Sequence, residues 1–182
     1  QSVDEHIVRI PGSAVVRQIA AGNTYTLALA ETGNVFYWGR CSYTATEGVY
    51  NVPKHYLLFK ESQPKLWEAL KRESIIQIAS GAAHILMLSA EHKVFSVGAP
   101  DGGRLGRNGA HNVPSPIPRL NECNVTQIAC GYTNSMALCA NTRQVYVWGR
   151  NEKNQCGINP NLDSISVPTV LNALEGLDVR QI

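Results

Sequence analysis

Five histidines and five cysteines are the side chains of this chain best suited to metal binding, acid–base work or nucleophilic attack. Their spacing supports none of these. His6, His55, His84, His92 and His111 are scattered, without the short fixed separations that bring imidazoles onto one metal. Cys41, Cys123, Cys130, Cys139 and Cys156 form no C-x-x-C pair, the pattern of a zinc knuckle or a redox site. The chain has no H-E-x-x-H, no nucleophile elbow and no Gly-rich nucleotide loop. Asp101-Gly102-Gly103-Arg104 has the glycines of a phosphate loop but lacks its lysine and its strand–loop–helix setting. The chemistry expected is that of recognition, with no catalytic residue, cofactor or metal.

The residues available for recognition recur in register in three short loops. These are Gly22-Asn23-Thr24-Tyr25, Gly81-Ala82-Ala83-His84 and Gly131-Tyr132-Thr133-Asn134. Each is preceded by Gln-Ile-Ala, at Gln18, Gln77 and Gln127, and followed by an apolar run holding Leu29, Leu88 or Leu138. A polar turn and a third run then end in Gly39, Gly98 or Gly149. The runs are too short for helices and sit at hairpin spacing, so they are expected to be strands. Gly33 and His92 fall where the hairpin turn needs a left-handed residue, which makes His92 a turn residue rather than a ligand. Leu86 and Leu138 are expected in the core, each on the middle strand of its unit.

With a truncated fourth copy at Gln181, the repeat length is roughly 50–60 residues, the signature of a propeller array. The units read as the end of a preceding repeat at 1–14, a first repeat at 15–74, a second at 75–124, a third at 125–178, and the start of another at 179–182.

The pattern Q-I-A-x-G, then x-x-[H]-x-x-x-L, then V-[YF]-x-[WV]-G resembles the repeat of the regulator of chromosome condensation family. The resemblance covers nearly all of the chain apart from one insertion. It implies an all-β fold: about three blades of a ring that in this family usually has seven, with four strands each. It also implies that the G-x-x-H loops lie near the top face. In the family's guanine-nucleotide exchange member, acidic and histidine side chains of these loops help engage a small GTPase. Here only His84 matches the motif's histidine; Tyr25 and Asn134 replace it, and the three loops carry no Asp or Glu. His84 is expected first as a structural residue, hydrogen-bonded within its own blade, with partner contact as the alternative. The tryptophan cluster of the plant ultraviolet-receptor branch is also missing, since Trp38 and Trp148 are repeat-equivalent and the middle unit has Val97.

Repeats two and three keep the family's inter-blade turn, at 101–106 and 151–157, with Leu105 or Cys156 as its plug. Repeat one replaces it with an insertion from Cys41 to Ser74. Within this insertion, Ser62–Arg72 reads as a short helix, with Pro64 near its first turn and Leu66, Trp67 and Leu70 on one face. Lys54, His55, Lys60, Lys65, Lys71 and Arg72 lie nearby. The helix either packs on the propeller rim or docks a partner.

Sixteen basic and 14 acidic residues give a net charge of +2, which is no footprint for nucleic acid. No apolar run is long enough to span a bilayer. The cysteines are expected as small buried thiols in a reducing compartment, cytoplasmic or nuclear. Because blades bury their flat faces against one another, further blades in the same or another chain, or a partner, are expected to cover the two ends of the arc.

The expected function is a non-enzymatic protein-interaction propeller, a scaffold or recruitment module of a larger protein or complex. Guanine-nucleotide exchange on a Ran-like GTPase and substrate recruitment for a ubiquitin ligase are the alternatives. Asn23, Thr24, Tyr25, His84, Tyr132, Asn134, Leu66, Trp67 and Leu70 are the candidate partner-binding residues.

Overall fold

The computed structural model describes residues 8–47 and 52–182. The expectation for 1–14 therefore falls partly outside the described residues. Twelve strands form three four-stranded antiparallel meanders, matching the expected blades. The first holds β1 (Val16–Ala21), β2 (Tyr25–Ala30), β3 (Val35–Glu47) and β4 (Val52–Leu66). The second holds β5 (Ile75–Ser80), β6 (His84–Ser89), β7 (Val94–Gly98) and β8 (Ser115–Pro116). The third holds β9 (Val125–Cys130), β10 (Asn134–Cys139), β11 (Gln144–Arg150) and β12 (Ser164–Val170).

All six residues of β6 are buried, which explains why His84–Ser89 shows no polar alternation. A strand points successive side chains to opposite faces. Ile85 and Met87 accordingly join a core with Leu27, Leu29 and Trp67 of the first blade, whereas Leu86 and Leu88 join one with Ile128, Leu138 and Trp148 of the third. The middle blade is thus packed on both sides. Leu86 and Leu138 lie in the core as expected, and Leu105 and Cys156 are buried. His92 and Gly33 take positive φ, 62° and 84°. The five cysteines are free thiols, four of them buried.

Ser62–Arg72 does not form the expected helix, which corrects the sequence reading. Residues through Leu66 are strand: Lys65 and Leu66 pair with Tyr37 and Phe36. Only a single 3-10 turn follows, at Glu68–Leu70. Pro64 is tolerated because β4 is an outer strand, where a missing N–H breaks no inner ladder. The same linker recurs between blades: the Leu70, Leu120 and Leu174 N–H groups donate to the Trp67, Ile117 and Leu171 carbonyls at 2.9, 3.1 and 3.0 Å. Trp67 is therefore the first blade's version of Ile117.

What is added to the first blade is a long β3–β4 ribbon rising past Gly39. Tyr43 and Tyr56 pair across it and stack at 5.4 Å, with the His111 ring edge-on to both. With Ala83 and Ala99 they form a small cluster that leans the ribbon over the second blade.

Candidate functional site

The three loops expected to carry recognition lie side by side on one face of the arc, where β1 turns into β2 and its equivalents. The same tight turn closes each: the Gly22, Gly81 and Gly131 N–H groups donate to the Tyr25, His84 and Asn134 carbonyls, all at 2.9 Å. Glycine is required at 81 because a Cβ there would lie 2.2 Å from the His84 ring. The residue after the turn pairs with the closing glycine of the third strand: Tyr25 with Gly39, His84 with Gly98, Asn134 with Gly149. Neighbouring loops are tied by backbone bonds, Asn23 N–H to the Ala82 carbonyl at 3.3 Å and Ala82 N–H to the Tyr132 carbonyl at 3.1 Å. The tips Asn23, Ala82 and Tyr132 border a depression of about 330 Å³.

Two of the candidate partner-binding residues point inward, which corrects the expectation for Tyr25 and agrees with the structural reading of His84, except that its bond crosses to the next blade. Tyr25 is buried, and its hydroxyl donates between the Gly81 and His84 carbonyls of the next blade, 3.0 Å from each. Burial pushes its phenol pKa up, so it stays a neutral donor. His84 is wholly buried, and its Nε2 lies 3.0 Å from Ser135 Oγ in the third blade. Ser135 Oγ donates in turn to the Arg104 carbonyl at 2.9 Å, which also accepts Trp148 Nε1–H at 2.9 Å. With the Ser135 proton so used, Nε2 carries the imidazole hydrogen and donates to Ser135. Burial, and then the Arg104 guanidinium, lower the His84 pKa to about 3. A neutral imidazole locked between blades is mortar, neither a base nor a contact.

Trp67 and Leu70 are likewise buried, in the core shared by the first and second blades, and Leu66 is half-buried in a core of the first blade. Trp67 packs against Tyr37 at 5.0 Å and Phe59 at 6.0 Å. The apolar face that the sequence left uncovered is covered by the ribbon and blade that carry it. Asn134 is half-buried. Exposed on the face are Asn23, Thr24 and Tyr132, the last at 71%. Thr24 Oγ1 donates to the Arg40 carbonyl at 2.6 Å, linking this loop to the base of the ribbon.

Sequence reasoning missed the ribbon as part of this face. The signal was present as alternation: Cys41 and Tyr43 are buried while Arg40, Ser42 and Thr44 are exposed. Among the described residues no group of three or more His, Cys, Asp or Glu side chains could hold a metal ion.

Two protein-family models, both for the regulator of chromosome condensation (RCC1) repeat, match the chain, one at 91–138 and 144–182 and the other at 125–155. The E3 ubiquitin-protein ligase HERC2 of Homo sapiens is 33% identical over 165 residues, 88% of this chain and 3% of HERC2. The ultraviolet-B receptor UVR8 of Arabidopsis thaliana is 30% identical over 167 residues, 90% of this chain and 36% of UVR8. Among solved structures, Prp20p from Saccharomyces cerevisiae, described with its binding properties to Gsp1p and histones, superposes with a TM-score of 0.73 at 25% identity. That match covers 91% of this chain and 38% of Prp20p. The chain thus spans well under half of each of these three proteins.

Proposed function

Because this chain belongs to the regulator of chromosome condensation (RCC1) repeat family, we propose that it works as a protein-interaction arc of a β-propeller, a non-enzymatic scaffold or recruitment module within a larger protein or complex. The observation that carries this reading is the division of labour within the face loops. Tyr25 and His84 are spent on joining blades, while Tyr132 stands 71% exposed beside Asn23 and Thr24 on loops whose backbones are tied together. A large amphipathic side chain on a rigid loop is a good interface anchor, since little entropy is lost when it is covered. Reactive groups are absent from these tips, and the histidine is neutral and enclosed.

Two narrower readings have support from relatives. Recruitment for a ubiquitin ligase is favoured by the likeness to HERC2, and exchange on a Ran-like GTPase by the backbone likeness to Prp20p. The lack of any carboxylate on the three tips weighs against exchange. The test compares the full-length protein with its Tyr132→Ala variant in affinity purification and in a GTPase nucleotide-release assay. The scaffold reading expects specific partners to be lost from the variant at an unchanged melting temperature, with no acceleration of release by either protein. Partners retained in full, or release accelerated by the unmodified protein, would contradict it.

A further inference from the structure

We propose that the cleft between the β3–β4 ribbon and the top of the second and third blades is a docking site for an acidic segment of a protein partner. The inference rests on the interaction reading above and gives that partner its chemistry. The cleft, about 660 Å³, is lined by Thr44 of the ribbon, Pro100, Asp101, Gly102 and Arg104 of the second blade, and Arg150 of the third.

Its lining carries two arginines against one aspartate. Arg104 is 7% exposed, yet it forms no ion pair among the described residues. Its Nε donates to the Asp101 carbonyl at 2.8 Å, while its terminal nitrogens make no hydrogen bond there. Burial lowers its proton affinity most; Asp101 opposes this from beyond ion-pair distance, and the Arg150 guanidinium adds a smaller lowering. A largely buried guanidinium whose one nearby carboxylate, Asp101, stays beyond ion-pair distance is incompletely compensated, and an incoming carboxylate would improve this. Among the described residues Arg150 forms an ion pair with Glu152, at 2.9 Å, with both side chains about half exposed. Such a surface pair contributes little and exchanges readily.

The positive surface continues out of the cleft along the ribbon. Residues 40, 42 and 44 share one strand face and cover roughly 13 Å. Arg40 lies directly opposite Lys60, a like-charge pairing that weakens a ribbon, and neither has an ion-pair partner among the described residues. Next come Ser42 opposite Leu57, which is 57% exposed, and Thr44 opposite His55, with Thr44 Oγ1 2.8 Å from His55 Nδ1. A small free anion would use the cleft alone. The length of the strip and the exposed Leu57 suit an extended segment with several carboxylates and an apolar side chain. The net charge of only +2 makes this a local feature, unlike the broad field that nucleic acid calls for.

The test is fluorescence anisotropy with the full-length protein and a short labelled peptide rich in Asp and Glu around one Leu, beside its Asn/Gln counterpart. The acidic peptide should bind and weaken with salt, and the Asn/Gln peptide should not bind. Arg150→Gln and Arg104→Gln should each weaken binding about tenfold or more, and Arg40→Gln or Lys60→Gln about two- to fivefold. Arg150, Arg40 and Lys60 are exposed, so their variants report on binding even if Arg104→Gln fails to fold.

Absence of binding at low salt, equal binding of the uncharged peptide, or indifference to Arg150→Gln would overturn the proposal. So would inorganic phosphate displacing the peptide from the cleft and binding more tightly, or an oligonucleotide binding as tightly and depending on the same arginines. If the peptide fails while partner capture still depends on Tyr132, only the cleft assignment falls. If capture is also indifferent to Tyr132, the interaction reading falls with it.

Discussion

The Gln77 side chain clamps the backbone of Ile128 in the next blade: Nε2 donates to the Ile128 carbonyl at 3.0 Å, and Oε1 accepts the Ile128 N–H at 2.9 Å. Gln18 holds Ile78 in the same way, at 2.8 and 2.9 Å, and Gln127 holds the Arg180 carbonyl and the Ile182 N–H at 2.9 and 3.0 Å. The first strand of each blade cannot pair by a regular ladder with its neighbour, so an amide with one donor and one acceptor at the right reach replaces it. The Gln-Ile-Ala signature is thus an inter-blade fastener repeated along the arc.

Gln77→Leu should remove both bonds and leave the Ile128 N–H and carbonyl without partners, at a cost of about 1–3 kcal/mol. Urea unfolding of the full-length protein measures it. Gln77→Glu keeps the acceptor but sets a carboxylate against the Ile128 carbonyl, and should be no better than leucine. A loss within about half a kcal/mol, as for ordinary surface changes, would show that the clamp is ornamental.

His84 should make stability depend on pH. The unfolded chain takes up its proton near pH 6.5, whereas the folded chain does not until about pH 3. Between these values the unfolded state binds more protons, so the His84 contribution is complete above about pH 6.5 and is lost as pH falls toward 3. The slope should reach at most about 1.4 kcal/mol per pH unit. His84→Asn, using the residue the third blade has at 134, should flatten the profile in this window while lowering stability at pH 7. An unchanged pH profile would mean that His84 is not enclosed.

Trp67→Ala should destabilise the fold by about 3–5 kcal/mol, because a buried aromatic at the blade linker leaves a cavity that the ribbon cannot fill. Partner binding, measured where the variant is still folded, should be retained. Lost binding at full stability would restore the docking role that the sequence suggested for this residue.

The blade architecture was legible because repeats multiply weak signals. Gln18, Gln77 and Gln127 in register, with a glycine four residues on, identified first strands that no single copy would secure. The fate of Ser62–Arg72 was not legible, because Leu66, Trp67 and Leu70 fit a helical face as well as the end of a strand followed by a 3-10 turn. Comparison with Ile117-x-x-Leu120 would have resolved it. Tyr25 was placed on the right loop but given the wrong direction, and the structural role read for His84 was assigned to its own blade rather than to a bond across to the third. The strand phase that turns Leu86 toward the third blade turns His84 the same way, and this follows only once the blades are set side by side. Arg104 was read as part of an inter-blade turn and Arg150 was not singled out, since nothing local reveals that a ribbon from another blade lines a cleft with them through Thr44.

The central claim, that the exposed loop tips meet a protein partner while the inward residues of the same loops hold the blades together, is tested most directly by site-specific photo-crosslinking of the full-length protein in cells. A benzophenone amino acid placed at Tyr132 should give a discrete crosslink to a second protein, and the same group at Trp67 should give none. A silent position 132, or crosslinks from 132 only to this protein's own blades, would contradict the account.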